Sequence, residues 1–460
     1  MLGKSGFALA GLLAAGANAL ASNTVIRGVN LGGWLVLEPW MTPSIFNSTG
    51  TADEWHLCNQ LGKDQCLKTL QNHWSTFYTR DDFVSMKQAG LRYGSNEGSL
   101  HFETYSVRVP LGYWAVDLLD YEPYVSGQYP YLVQAVQWAQ EMDFTVFIDI
   151  HGAPGSQNGW EETGLVGPID FPANTSNADR TLNVLRNLTT EFSKDIYGGA
   201  VTNIEILNEP IFDPDQLKAF YTQGANVISN GTGINNYDPN NSGASSPASH
   251  LTIDTHQFWA FAPYLDLNQS QILDKICEFS QELRDPNTGI PPTLVGEWSL
   301  STAITANSTS NEVEQDQAKR TWFRKLFEAE NAAFTPNGEG QALIGWYMWA
   351  WKTEYDIDAW SYRRGWQDGY IPSNISNSST YIFPIKDNGC IDASFDYTAP
   401  ATVNQATSPS ATASSASASG KSHASATGST AASPTAKSNA SGLSPKSWLA
   451  IASVLLFIIS

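Results

Sequence analysis

Seven short segments built mostly from Val, Ile, Leu and aromatic residues recur along the chain, and helical periodicity fills most of the intervals between them. That alternation constrains the fold more than any other feature. Runs of this length suit strands buried on both faces, and strands separated by helices pair in parallel. The segments are Val25–Leu31, Val107–Pro110, Thr145–Ile150, Asn203–Leu207, Leu251–Thr255, Thr293–Val295 and Ile344–Trp349. Helical patterns over Leu57–Gln88, Tyr131–Met142, Asp179–Asp195, Ser270–Arg284 and Glu312–Ala333 supply an outer ring. The order predicts an α/β fold, a (β/α)8 TIM barrel in a single domain over 22–400, one strand short of its full count.

The ends read differently. Residues 1–21 join a lone Lys4, an apolar Phe7–Ala15 run and small residues at Ala17, Ala19 and Ala21, the pattern of a secretory signal peptide. Residues 401–446 are almost all Ala, Ser, Thr, Gly and Pro, and cannot bury a core. They read as a disordered, O-glycosylated stalk. Residues 447–460 are apolar, too short to span comfortably, and resemble a GPI-anchor signal. The expected location is therefore the cell surface, wall or membrane, after secretion. Sequons at Asn187, Asn268 and Asn307 agree with that route. A net charge of −20 argues against nucleic acid, whose phosphates need a basic surface.

Four cysteines allow three pairings. Cys58 and Cys66 lie in one helical pattern and can pair only if it bends, whereas Cys277 and Cys390 are free to pair across the domain. No Cys/His spacing resembles a zinc site, and neither a metal nor a cofactor is expected.

Polar residues sit in or just after the strand segments. Arg108 is within the second, His151 follows the third, and Asn208 and Glu209 close the fourth before Pro210. His256 follows the fifth, Glu297 the sixth, and Trp349 ends the seventh. Active sites of such barrels gather at the carboxyl ends of the strands. Two carboxylates there, Glu209 and Glu297, meet the requirement of glycoside hydrolysis for one acid and one nucleophile or base. Arg108 would keep one of them charged, and Asn208 could bond a sugar 2-hydroxyl. Among 16 Trp, 18 Tyr and 20 Phe, residues Trp34, Trp160, Phe261, Trp349 and Trp351 fall in loops expected at that face, where flat rings suit sugar C–H faces.

These residues sit inside longer motifs. Arg27–Trp34 with Leu37-Glu38-Pro39, Val107–Trp114, Asp149–Gly159, Leu207–Pro210, Asp254-Thr255-His256, Gly296-Glu297-Trp298 and Trp349–Glu354 resemble, in order, fungal exo-β-1,3-glucanases of glycoside hydrolase family 5. The resemblance covers roughly Ile26 to Cys390. It implies a retaining hydrolase that releases glucose from non-reducing ends of β-1,3-glucan, acting as a monomer without cofactor. Glu209 is then the acid/base and Glu297 the nucleophile, with Arg108, His151, Asn208, His256 and Trp349 in support. Glu38 would hold the terminal glucose, and Trp160, Phe261 and Trp351 would contact the glucan. A β-1,6 or endo-acting hydrolase shares this mechanism; a wall glycoprotein that only binds glucan is the rival from another class.

Three departures stand out. Arg92–Ser106, polar and aperiodic, interrupts the approach to the Val-Arg-Val-Pro strand and reads as a retained intron or a loop at the far face of the barrel. Asn226–His250, rich in Asn, Gly, Ser and Pro, replaces a recognisable fifth strand and its loop. Phe258 stands where the family has a Tyr that donates to the nucleophile.

Overall fold

The computed structural model describes residues 24–91, 94–95, 105–232, 251–304, 312–338, 340–401 and 453–458. The expected signal peptide and stalk lie outside these residues, as do 92–93 and 96–104 of the first departure and 233–250 of the second.

Seven parallel strands follow the predicted order: β1 (Thr24–Asn30), β2 (Tyr105–Gly112), β3 (Phe144–Gly152), β4 (Val201–Glu205), β5 (Leu251–Trp259), β6 (Thr293–Thr302) and β7 (Leu343–Met348). β1 pairs with β2 on one side and β7 on the other, which curls the sheet into a barrel. Every residue of β2 is buried, as a parallel strand covered on both faces requires. The interrupted approach to β2 does less damage than its sequence suggests. Tyr105 and Ser106 belong to the strand, pairing with Phe144 and Thr145, and Gly94–Ser95 pairs antiparallel with Thr24 and Val25. Arg108 keeps its place, fully buried.

No parallel strand replaces the missing one among the described residues. Helix continues instead over Pro214–Thr232. The gap between β4 and β5 is filled by β8 (Ser453–Ile458), antiparallel to both and drawn from the apolar tail that the sequence reading gives to an anchor signal. An apolar hexapeptide satisfies the open backbone edges of two core strands, which otherwise face solvent unpaired.

The long Leu57–Gln88 pattern is three helices, α1 (Glu54–Leu61), α2 (Lys63–Thr76) and α3 (Arg80–Gln88). Gly62, at φ 75°, breaks the first from the second, and that bend lets Cys58 and Cys66 form a disulfide. Side chains rarely adopt this φ, so glycine suits the joint. α3 opens on a capping box between Thr79 and Asp82. Cys277 and Cys390 form the second disulfide across 113 residues.

Candidate active site

At the carboxyl ends of the strands the side chains converge on Arg108. From β2 its guanidinium reaches Glu297 Oε1 through Nη1 at 2.6 Å. It reaches Glu205 Oε2 through Nε at 3.1 Å and Nη2 at 2.7 Å. Asn30 Oδ1 accepts from Nη1 at 3.0 Å and Asn208 Oδ1 from Nη2 at 2.9 Å, while Asp149 lies 3.0 Å from Nη2. A planar fork with five donors is the side chain that can serve so many acceptors at once. Asp254, 3.8 Å from Nε, completes a ring of four buried carboxylates. It also accepts from the Gly296 amide at 2.7 Å. A Cβ on Gly296 would lie 2.1 Å from that carboxylate, so the Gly-Glu-Trp motif needs its glycine for this approach.

His256 lies between the two proposed catalytic carboxylates. Its Nδ1 is 2.5 Å from Glu209 Oε1 and 3.6 Å from Glu297 Oε2. Facing oxygens of Glu209 and Glu297 lie within 4.8 Å of one another. Retaining glycosidases hold their carboxyl groups about 5–5.5 Å apart, and inverting ones about 6.5–9.5 Å. The Glu209 side chain keeps 23 % of its exposure and that of Glu297 7 %, so Glu209 is the more open to the mouth.

Burial works against charge throughout this cluster, and the partners decide where charge survives. Burial disfavours an ionised Glu209, but the His256 hydrogen bond and charge outweigh it and hold its carboxyl below the usual range. Burial of Glu297 prevails over His256 and Arg108 and pushes that carboxyl up. Burial opposes a charged His256 as well, yet Glu297, Asp254 and Glu209 hold the imidazolium well above the usual value. In the free site the proton that Glu209 would donate therefore rests on its partner, His256.

His151 Nδ1 faces Asp149 Oδ2 at 2.6 Å, and its ring stacks on Trp349 at 5.4 Å and 8°. His151 Nε2 and Asn208 Nδ2 are buried without a hydrogen-bond partner among the described residues. Both are free to meet a sugar hydroxyl. Glu38 is buried and accepts from Trp40 Nε1 at 2.7 Å. Burial, then Glu161, push its carboxyl up, and Glu297 and Glu209 are near enough to add to this. Trp160 and Phe261 stand at the rim, 48 % and 57 % exposed. A wall of rings runs inward from Phe261 through Phe258 and Trp360 to Trp40, with centroids 6.1, 5.5 and 5.0 Å apart.

Two aromatic expectations fail. Trp351 is fully buried; its Nε1 donates to Asp82 Oδ1 at 3.0 Å and its ring stacks on Tyr362. Trp34 is equally buried, donating to the Trp74 carbonyl. Both loops fold back on α2 and α3, where a matched acceptor for each indole N–H makes them core.

Several contributors escape sequence reasoning. Asn30, from the adjacent β1, and Glu205, from β4 beyond β3, hold Arg108. The loop after β3 reaches across to Glu209: Gln157 Nε2 donates to the Asn208 carbonyl at 3.0 Å, and Asn158 Nδ2 to the Glu209 carbonyl at 3.1 Å. Glu209 sits at φ 42°, a left-handed conformation disfavoured for its side chain, and these two amides hold it there. Two carboxylate–histidine groups, Glu205–Asp254–His256 and Glu209–His256–Glu297, are close enough to grip a cation. Each already gives a carboxylate to Arg108, so an ion would have to displace the guanidinium.

No protein-family model matches the chain. A probable glucan 1,3-β-glucosidase A of Aspergillus fumigatus is 35% identical over 396 residues, 77% of this chain and 89% of that one. A glucan 1,3-β-glucosidase of Kluyveromyces lactis is 32% identical over 421 residues, 78% and 92% of the two chains. The chain belongs to the glucan 1,3-β-glucosidase family. Among solved structures, a rutinosidase from Aspergillus niger superposes with a TM-score of 0.57 at 22% identity, over 76% of this chain and 98% of that one. That likeness shows the shared barrel fold. Within the glucan 1,3-β-glucosidase family, the Phe258 ring of this chain packs on Trp360 and Phe261 and offers Glu297 no hydroxyl.

Proposed function

We propose that the chain hydrolyses β-1,3-glucan from its non-reducing end with retention of configuration, releasing glucose. The spacing of Glu209 and Glu297, with His256 between them, carries this reading. Glu297 attacks the anomeric carbon while Arg108 neutralises its Oε1. Glu209 passes the proton shared with His256 to the leaving oxygen, then takes one from the water that releases glucose. Asn208 Nδ2 and His151 Nε2 meet sugar hydroxyls, and Glu38 with Trp40 closes the pocket around the terminal glucose. Trp160 and Phe261 stack on the next sugar. All these groups come from one barrel, which supports action as a monomer. The chain's apolar ends support secretion and a C-terminal glycolipid anchor; mass spectrometry of the mature C-terminus checks the latter.

Glucose release from a β-1,3-glucan, followed by proton NMR of the first anomer, tests the reaction. The β-anomer should appear first, and Glu297→Gln should lower the rate at least about a thousandfold. Initial release of the α-anomer, or activity that survives in Glu297→Gln, would falsify the assignment. Faster release from a β-1,6-glucan would change the linkage but leave the mechanism.

A further inference from the structure

The rim ring Trp160 stands on the loop after β3, and that loop is held on both sides of it. On the near side Gln157 and Asn158 bond the carbonyls of Asn208 and Glu209. Past the ring, the Gly167 amide donates to the Gly159 carbonyl at 3.2 Å and closes the loop. The far side is gripped by three consecutive residues at the start of α1, Asp53, Glu54 and Trp55. Asp53 Oδ2 accepts the Val166 amide at 2.8 Å, and the Trp55 amide donates to the Gly164 carbonyl at 2.9 Å. Glu54 accepts from Trp114 Nε1 at 2.9 Å, and the Trp114 ring stacks on Tyr124 at 4.1 Å and 3°. Gly164 turns against that ring at φ 81°, where a Cβ would lie 2.4 Å from it.

Resting on the reading that Trp160 stacks on the second sugar, we propose that Asp53 is a positioning residue for that subsite: it fixes the loop so that the Trp160 ring faces the sugar next to the terminal glucose. Asp53 is fully buried, and its two oxygens have separate duties. Oδ1 accepts the His56 amide at 2.8 Å and caps α1, while Oδ2 holds Val166. His56 Nδ1 meets both oxygens, at 2.8 and 2.7 Å, which fixes the plane of the carboxylate. A charged acceptor makes a stronger bond to a backbone N–H than a neutral one does. α1 suits the task, because the Cys58–Cys66 disulfide ties it to α2. The Trp160 side chain is exposed, so the backbone of its loop, more than packing, sets where the ring lies.

Two variants separate the grip from the cap. Asp53→Asn keeps the volume and the capping oxygen but turns an amide N–H toward that of Val166. Asp53→Ser also caps well and is too short to reach Val166. Each is made in the full chain carrying Glu297→Gln, and calorimetry measures the affinity for glucose, which fills only the terminal pocket, and for laminaribiose, which extends to the rim. Either variant should weaken laminaribiose up to about tenfold and leave glucose unchanged. Trp160→Ala should do the same, and joining it to Asp53→Asn should cost nothing more, since both act through one ring. Unchanged laminaribiose affinity in both Asp53 variants, equal losses for the two sugars, or losses that add, overturn the proposal. Deuterium exchange of the Val166 amide is a readout that needs no sugar. It should quicken at least about tenfold in Asp53→Asn while the α1 amides keep the wild-type rate. An unmoved Val166 rate, with Trp160→Ala still impaired, sinks the role of Asp53 alone. Faster exchange with full laminaribiose affinity in Trp160→Ala sinks the stacking reading and the proposal with it. Turnover enters none of these measurements, so a wild type that cleaves no glucan would sink the catalytic reading and leave this one standing.

Discussion

One guanidinium organises the site at the scale of residues. Arg108 binds the proposed nucleophile, steers Asn208, and is itself held by Glu205 and Asn30. The residues at strand ends were legible because a parallel barrel sends them to one mouth whatever the loops do. Glu205, Asn30 and Asn158 were not, since their significance lies in partners 51 to 97 residues away. Trp351 shows the converse: a ring in a loop reads alike whether it meets a sugar or, as here, Asp82 and Tyr362. Phe258 offers a direct prediction. Glu297 Oε2 faces only His256, at 3.6 Å, among the ion pairs of the cluster. Phe258→Tyr adds a phenol at the aromatic wall, where a bond to this oxygen would stabilise the charged nucleophile. A net hydrogen bond of about 1 kcal/mol predicts a several-fold rise in kcat/KM. An unchanged or lower value in a folded variant would show that the wall holds the ring away from Glu297.

At the scale of elements, helices and strands followed their periodicity closely, and the misses fell at junctions. The single helix expected over Leu57–Gln88 is broken by Gly62 and by the Thr79 cap. Glu54, in the first turn of α1, stitches these junctions to the barrel. It accepts from Trp114 Nε1 at 2.9 Å and from the Leu37 amide at 3.3 Å. Burial, against these two hydrogen bonds, lifts its carboxyl from 4.5 to about 8. A folded value above the unfolded one means stability that is fully present below pH 4.5 and is lost as pH rises through about 8. His73 on α2 works in the opposite direction. Burial drops it from 6.5 to about 4, so its contribution is intact above pH 6.5 and is lost as pH falls through 4. Wild-type unfolding free energy should therefore stay roughly level between pH 4.5 and 6.5, where His73 gains what Glu54 loses, and decline between 6.5 and 8 by up to about 1.4 kcal/mol per unit. Denaturant titrations of wild type and Glu54→Gln check this. The variant should lose that part of the slope, while starting lower at acid pH because its amide meets the Leu37 N–H. Parallel slopes would remove Glu54 from the account.

At the scale of the whole molecule, the seven parallel strands leave one gap in the barrel, between β4 and β5, and the apolar tail has two incompatible uses. As an anchor signal, Trp448–Ser460 is cut away during maturation. As β8, Ser453–Ile458 seals β4 and β5 through three partner positions on one side and five on the other. The tail's apolar character was legible, but sequence alone could not separate these uses, because a buried strand and an anchor signal both demand the same side chains. Stability separates them. Net hydrogen bonds of about 0.5–1.5 kcal/mol each make the backbone pairing of β8 worth a few kcal/mol. In a domain of this size that is roughly 2 °C of melting temperature for each kcal/mol. A chain ending at Lys446 should then melt at least about 4 °C below the full chain, and its exposed strand edges should promote association. Scanning calorimetry with light scattering reads both effects. Equal melting temperatures would mean that the barrel does not depend on its tail, leaving that segment free to serve as an anchor signal.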